Sequence, residues 1–219
     1  MRLDYRLGFI AAIGLLLVGI AYVVAVAFGV AQVGLSDPIV DPALAVMEII
    51  TLLAAPLVVI LMAAVYGYAG PDRKPLALIA LCFGVLMAGL TSSVHFVALS
   101  AGRQTGFSTL AWPSTLYAAE LLAWDVFLGL SLLFAAPVFA GAGRPATARR
   151  LATVTGALCL AGAIGPIVGD MALQRIGILG YGILLPITCL AMARVFRHGC
   201  QGDQSQVRTG STTPPGARP

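Results

Sequence analysis

Six long, nearly uncharged apolar runs occupy most of this 219-residue chain and constrain its fold more than any other feature. A run of about 20 apolar residues is long enough to cross the hydrocarbon core of a bilayer as a helix. Only 10% of the residues are charged and 59% are hydrophobic, whereas about 25% are charged in average soluble domains. The pattern therefore predicts an all-α, polytopic membrane bundle of six transmembrane helices.

Proline, glycine and aspartate clusters separate the runs and set the predicted ends of the helices. The first run is too long for the apolar core of a secretory signal, which extends over about 7 to 15 residues, so we interpret it as a retained span. After residue 197 the sequence becomes rich in Gly, Gln, Ser, Thr and Pro, which predicts a disordered cytoplasmic tail over 198–219. The transmembrane domain is predicted over 1–197, with spans at 7–33, 43–68, 76–99, 113–140, 151–173 and 176–196.

The distribution of Lys and Arg predicts the orientation of the bundle. Positively charged connections are retained on the cytoplasmic side of a membrane. With the N-terminus inside, eleven of the thirteen basic residues lie inside and only Arg103 and Arg175 lie outside. We therefore expect a cell-membrane protein with both termini in the cytoplasm.

Polar side chains within the predicted spans gather near the outer boundary of the membrane, with Asp125 nearer the middle. Ionisable groups inside a membrane are costly and usually face the bundle, where they serve a function. The alternative is that some lie at the interface, with Asp170 ending its helix and pairing with Arg175. The candidate ligand-binding residues are Glu48, Ser92, His95, Tyr117, Glu120, Trp124 and Asp170; the candidate catalytic residues are Glu120, Asp125 and His95.

The fourth span carries the densest set of these residues. Tyr117, Glu120 and Trp124 follow helical spacings of three and four and share one face, while Asp125 points elsewhere. A carboxylate among aromatic rings is suited to acid–base chemistry or to binding a cation. The alternative is that the aromatic side chains are ordinary anchors at the membrane interface.

Several chemistries are disfavoured by residues that the sequence lacks. Lys74, the sole lysine, lies in a connection, so a retinal Schiff base is excluded; His95 and His198 lie toward opposite faces, which disfavours haem. The four cysteines occur singly, without the spacing of a disulfide framework or a zinc site. The basic residues form no stripe or arm. We expect no metal, no cofactor and no nucleic-acid partner.

Three functions stay open at this point. The first is a protein that binds or carries a small molecule or ion, coupled to protons, which two similar hairpins carrying Glu48 with His95 and Glu120 with Asp170 would favour. The second is an intramembrane enzyme for a lipid or isoprenoid substrate, whose plan resembles that of small membrane isomerases and cyclases. The third is a non-catalytic subunit. Membrane lipid is an expected partner, and glycines such as Gly165 and Gly169 leave a homodimer open.

A simple geometric criterion separates the first two functions from the third. If Glu48, His95 and Glu120 point to lipid, or lie more than about 12 Å apart, they cannot contact one small ligand. Glu120→Gln should abolish turnover in an enzyme and alter the pH dependence of uptake in a carrier.

Overall fold

The computed structural model describes residues 3–34, 39–105 and 112–210, with side chains described up to His198 except that of Thr105. All regular secondary structure in these ranges is helical, and six helices are long and apolar enough to cross a membrane. The prediction of an all-α fold with six helices of membrane-spanning length and apolar composition is confirmed. The six helices are α1 (Leu3–Val33), α2 (Ala43–Tyr68), α3 (Pro71–Gly102), α4 (Thr115–Val138), α5 (Arg144–Val168) and α6 (Met171–His198).

The junction of α5 and α6 departs from its predicted position. The sequence placed it near Gln174 and Arg175, but both residues lie inside α6. Gly169 adopts a left-handed conformation with a φ of 77°, which ends α5, and the Asp170 side chain accepts a hydrogen bond from the Ala172 amide, which begins α6. Hydropathy does not detect such a junction, because apolar residues continue on both sides of it.

The C-terminal helix also extends beyond its predicted end. Its backbone stays helical from Leu185 to Gly210, where the sequence predicted a disordered tail from residue 198. Extending an existing helix adds one hydrogen bond for each residue fixed, and no proline occurs between Pro186 and Pro214. Residues 211–219 lie outside the described residues, and their disorder stays a prediction.

The helices follow one another around the bundle in chain order. Each packs against its neighbours in the sequence, and α6 packs against α1, which closes the ring. Large apolar side chains such as Leu17, Val24 and Ile167 cover much of the outside of the bundle and are exposed. A surface of this kind is unusual for a soluble monomer and suits contact with lipid.

Glycines bring α4, α5 and α6 into backbone contact. A Cβ atom added at Gly156 would lie 2.7 Å from the Gly129 carbonyl oxygen, and one added at Gly162 would lie 2.6 Å from the Gly177 amide nitrogen. Small residues at these positions let the helix axes approach closely. These contacts are within one chain, and a homodimer stays a prediction.

Aromatic side chains pack together at the end of the bundle where α1 begins. Tyr68 and Phe139 stack with ring centroids 5.6 Å apart, and Tyr5 and Phe196 meet them edge-on. Phe139 and Phe196 are fully buried. This end is tightly packed by the rings, whereas the polar side chains discussed below lie toward the opposite end.

Candidate functional site

His95 lies between two carboxylates that come from the two neighbouring helices. Its Nε2 atom is 2.8 Å from Glu120 Oε1 of α4, and its Nδ1 atom is 3.8 Å from Glu48 Oε2 of α2. Glu48 and His95 are each only 6% exposed. His95 therefore contacts both carboxylates inside the bundle. The three side chains do not point to lipid and lie well within about 12 Å of one another, so they are close enough to contact one small ligand.

The positions of these residues along their helices explain why they meet. Glu48 and Glu120 each lie five residues after the first residue of their helices, and His95 lies seven residues before the last residue of α3. At a rise of 1.5 Å per residue, all three lie about 8–11 Å from the same end of the bundle. Because α3 packs between α2 and α4, the imidazole reaches a carboxylate on either side.

Three donors converge on the Glu120 carboxylate. The Trp124 indole N–H, one turn along α4, donates to Oε1, and the Thr91 hydroxyl donates to Oε2 at 3.4 Å. Since an indole nitrogen can only donate, Oε1 acts as an acceptor there, and we assign the hydrogen on His95 Nε2 as its third donor. Glu120 is thus held in place by Thr91 and His95 of α3 and by Trp124 of its own helix.

The opposite side of the imidazole has no such partner. Glu48 Oε2 and His95 Nδ1 are both buried without a hydrogen-bond partner among the described residues. Their separation of 3.8 Å is too long for a hydrogen bond. Buried polar atoms in native proteins are almost always paired, so these two atoms are an exception within the described part of the chain.

The three residues line a cavity of about 420 Å³ and contribute two carboxyl groups and an imidazole to its wall. Helices α1, α2, α3, α4 and α6 line it, mostly with aliphatic side chains such as Leu15, Val18 and Leu185. Among the described residues that line the cavity, none is a lysine or an arginine. The polar or aromatic lining side chains are Tyr22, Glu48, Thr51, His95, Tyr117, Glu120, Trp124 and Tyr181.

Aromatic rings surround the carboxylate–imidazole group. Trp124 and Tyr181 of α6 lie with ring centroids 5.5 Å apart, and Tyr117 lies 6.2 Å from Trp112. Trp124 belongs to the π-helical turn Leu122–Phe127 and Tyr181 to the π-helical turn Leu179–Leu184. Such turns are rare and often occur at functional sites, where they re-aim side chains.

Asp125 lies in a separate polar cluster and does not line the cavity. It is fully buried, its Oδ2 atom accepts from the Gln174 amide at 3.4 Å, and its Oδ1 atom lies against Gly177 without a described hydrogen-bond partner. Gln174 also donates to the Tyr181 hydroxyl at 3.0 Å. Through Tyr181 this cluster touches the cavity wall, but the structure does not bring Asp125 to His95.

Two of the predicted ligand-binding residues lie away from the cavity. Asp170 is exposed and caps α6, and Ser92 is half-buried on α3; neither is among the described residues that line the cavity. The equivalence of Asp170 with His95 that the two hairpins suggested is therefore not reflected in their surroundings. Glu48, His95, Tyr117, Glu120 and Trp124 do come together, and their roles stay predictions.

The sequence did not indicate the contributions of α1 and α6 to the cavity, or that of Thr51 on α2. Tyr22, Thr51 and Tyr181 line the cavity, and Gln174 was placed in a connection although it is 2% exposed inside the bundle. The available signal was the single tyrosine in each of the first and sixth predicted spans. A tyrosine hydroxyl inside a membrane span needs a polar partner, so these positions favour the bundle interior.

Comparison with known proteins finds no matching family model, no matching curated protein and no matching solved structure. Within the described residues, no group of three or more His, Cys, Asp and Glu side chains is arranged to hold a metal ion. The chemistry available at the site is thus that of an imidazole between two carboxylates: hydrogen bonding, charge pairing and proton transfer.

Proposed function

We propose that this protein binds a small amphiphilic molecule in its central cavity and that binding is coupled to protons on Glu48, His95 and Glu120. The observation that carries the proposal is the position of the unpaired Glu48–His95 gap inside a largely apolar cavity of about 420 Å³. Ligand sites commonly have volumes of about 300–1,000 Å³, apolar walls and a few convergent polar groups. The cavity combines all three properties.

The proposal includes a cell membrane location with both termini in the cytoplasm. In the described helices, Arg73, Lys74, Arg144 and Arg197 lie at the end where α1 begins, and the Glu48–His95–Glu120 group lies toward the other end. Since positively charged ends are retained in the cytoplasm, the cavity belongs to the outer half of the membrane.

Cysteine labelling tests this orientation. In a background without the native cysteines, we expect a membrane-impermeant maleimide to label Gln104→Cys in intact cells and Asp72→Cys only after permeabilisation. Asp72 lies at the start of α3 and Gln104 in the helical turn directly after its end. Both native side chains are exposed, so the reactivity of each cysteine reports the side of the membrane on which it lies and not its burial. Labelling of Asp72→Cys in intact cells, with Gln104→Cys protected, would reverse the orientation.

An enzyme is the second candidate, favoured by the 2.8 Å contact between His95 and Glu120 beside the Trp124 ring. An imidazole and a carboxylate at this distance can transfer a proton to and from a bound substrate. The two candidates share one site and differ in outcome, since an enzyme releases a chemically altered molecule. Mass spectrometry of the bound molecule and of the released molecule distinguishes them: equal masses favour a binding protein or carrier, and different masses favour an enzyme.

Filling the cavity tests whether it holds a ligand. Gly182 lines the cavity, and a Cβ atom there meets only Ile178 at an ordinary 3.5 Å, so Gly182→Phe should place a ring in the cavity at little cost to folding. Gly89→Phe is the control, because Gly89 is exposed with open space around it. Mass spectrometry of molecules that copurify from membranes should find a species with wild type and Gly89→Phe that is depleted at least about tenfold with Gly182→Phe.

Equal recovery of every copurifying molecule from the two phenylalanine variants would remove the basis of the proposal. The comparison is valid when both variants elute as folded protein with the wild-type thermal transition. A species that is lost only from Gly182→Phe then identifies the ligand directly.

A further inference from the structure

We infer that the head group bound in the cavity is a protonated amine, and that the ligand is a lipophilic amine. The inference rests on the proposed function and specifies the chemistry of its ligand. The central observation is that Glu48 Oε2 and His95 Nδ1 face each other, buried and 3.8 Å apart, and that neither has a hydrogen-bond partner among the described residues.

The hydrogen-bond pattern determines what the gap lacks. With its hydrogen on Nε2 directed at Glu120, a neutral His95 presents a lone pair at Nδ1. Glu48 Oε2, 3.8 Å away, is also an acceptor. A group that pairs with both must therefore carry at least two hydrogens, as a water molecule or an ammonium head does and a carboxylate or phosphate does not.

The depth of these atoms separates them from an ordinary acidic surface. Glu48 and His95 are each about nine-tenths buried or more, at 6% exposed, and both line the cavity. They come from different helices, α2 and α3, so the gap is built by the tertiary fold. A buried acceptor without a donor costs free energy, and a bound donor removes that cost.

The charge and the walls of the cavity select the same head group. Two carboxylates line the cavity and, among the described residues, no lysine or arginine does, so an anionic head would be repelled by the carboxylates without a lysine or arginine to pair with. Tyr22, Trp124 and Tyr181 also line the cavity, and aromatic rings attract a cation that lies over their faces. The aliphatic side chains of α1 and α6 then cover the hydrocarbon part of the ligand.

A set of eight-carbon probes tests the head group with the tail held constant. The probes are n-octylammonium, octyltrimethylammonium, n-octanol and octanoate, added near neutral pH to the full chain in lipid nanodiscs. Trp124 is the reporter: it lines the cavity, and the only other tryptophan of the chain is removed as Trp112→Phe. A change in fluorescence counts as cavity binding only if Gly182→Phe abolishes it.

The expected order of affinity is n-octylammonium first, then octyltrimethylammonium, then octanol, with octanoate weakest. Octyltrimethylammonium keeps the charge but has no N–H to donate, so it should bind about tenfold or more weakly than n-octylammonium. Glu48→Gln should weaken n-octylammonium at least about tenfold and leave octanol unchanged. Asp72→Asn, which removes an exposed carboxylate that does not line the cavity, should change neither affinity.

Three results would overturn the inference. Cavity binding of octanol or octanoate as tight as that of n-octylammonium would show that the site does not select a cation, and the proposed binding function would stand. Unchanged affinity in Glu48→Gln would show that the amine does not lie in the Glu48–His95 gap. No cavity binding by any probe would reject a lipophilic amine, and the copurification result for Gly182→Phe would then decide separately whether the cavity holds a ligand at all.

Discussion

Glu120→Ala is expected to lower the free energy of unfolding by about 2–6 kcal/mol, because two donors inside the bundle lose their acceptor. The substitution leaves the His95 Nε2–H and the Trp124 indole N–H without an acceptor inside the bundle. Each buried donor left unpaired costs about 1–3 kcal/mol. Reversible unfolding in mixed micelles of a mild detergent and SDS measures the loss.

The matched variant is Glu120→Gln, which keeps an oxygen for His95 and Trp124 and places an amide near the Thr91 hydroxyl, which can also accept. It should lose less than about 1.5 kcal/mol, the net value of a typical hydrogen bond. Leu122→Ala, an exposed position on the same helix, controls for truncation of a side chain on α4. If Glu120→Ala is as stable as Leu122→Ala, Glu120 does not organise the site.

Gly162→Ala should destabilise the bundle by about 1–3 kcal/mol, as overpacking in a closely packed interior does. The added methyl group would lie 2.6 Å from the Gly177 amide nitrogen and 3.1 Å from Asp125 Oδ1. Since the first of these atoms belongs to the backbone, α5 and α6 have to move apart. The thermal unfolding transition in detergent measures the effect.

Gly89→Ala is the control for the effect of the substitution on the helix itself. Nothing lies within 4 Å of a Cβ atom at Gly89, which is in α3. Alanine favours a helix by about 1 kcal/mol over glycine, so this variant should be as stable as wild type or more stable. A Gly162→Ala protein as stable as Gly89→Ala would contradict backbone contact between α5 and α6.

The number and location of the long helices could be predicted from the sequence because hydrophobic length is a strong signal. Their ends could not, since Gly169 and Asp170 end one helix and begin the next through a left-handed turn and a side-chain cap. Hydropathy contains no information about backbone dihedral angles. The same limit explains why Gln174 was placed in a connection.

The central residues of the site were also accessible from the sequence. Glu48, His95 and Glu120 are ionisable groups at one depth, and depth follows from the helical rise once the helices are assigned. Which of the polar groups meet depends on helix order and rotation, which hydropathy does not determine. That is why Asp170 and Ser92 were included, and why Tyr22 and Tyr181 were not.

The most direct test of the account is a density map of the protein in lipid nanodiscs with n-octylammonium at saturating concentration. We expect density for the amine nitrogen within hydrogen-bond distance, about 2.7–3.2 Å, of both Glu48 Oε2 and His95 Nδ1, with the octyl chain along α1 and α6. A central cavity that is collapsed, or filled by a lipid acyl chain with the Glu48–His95 gap still empty, would contradict the account.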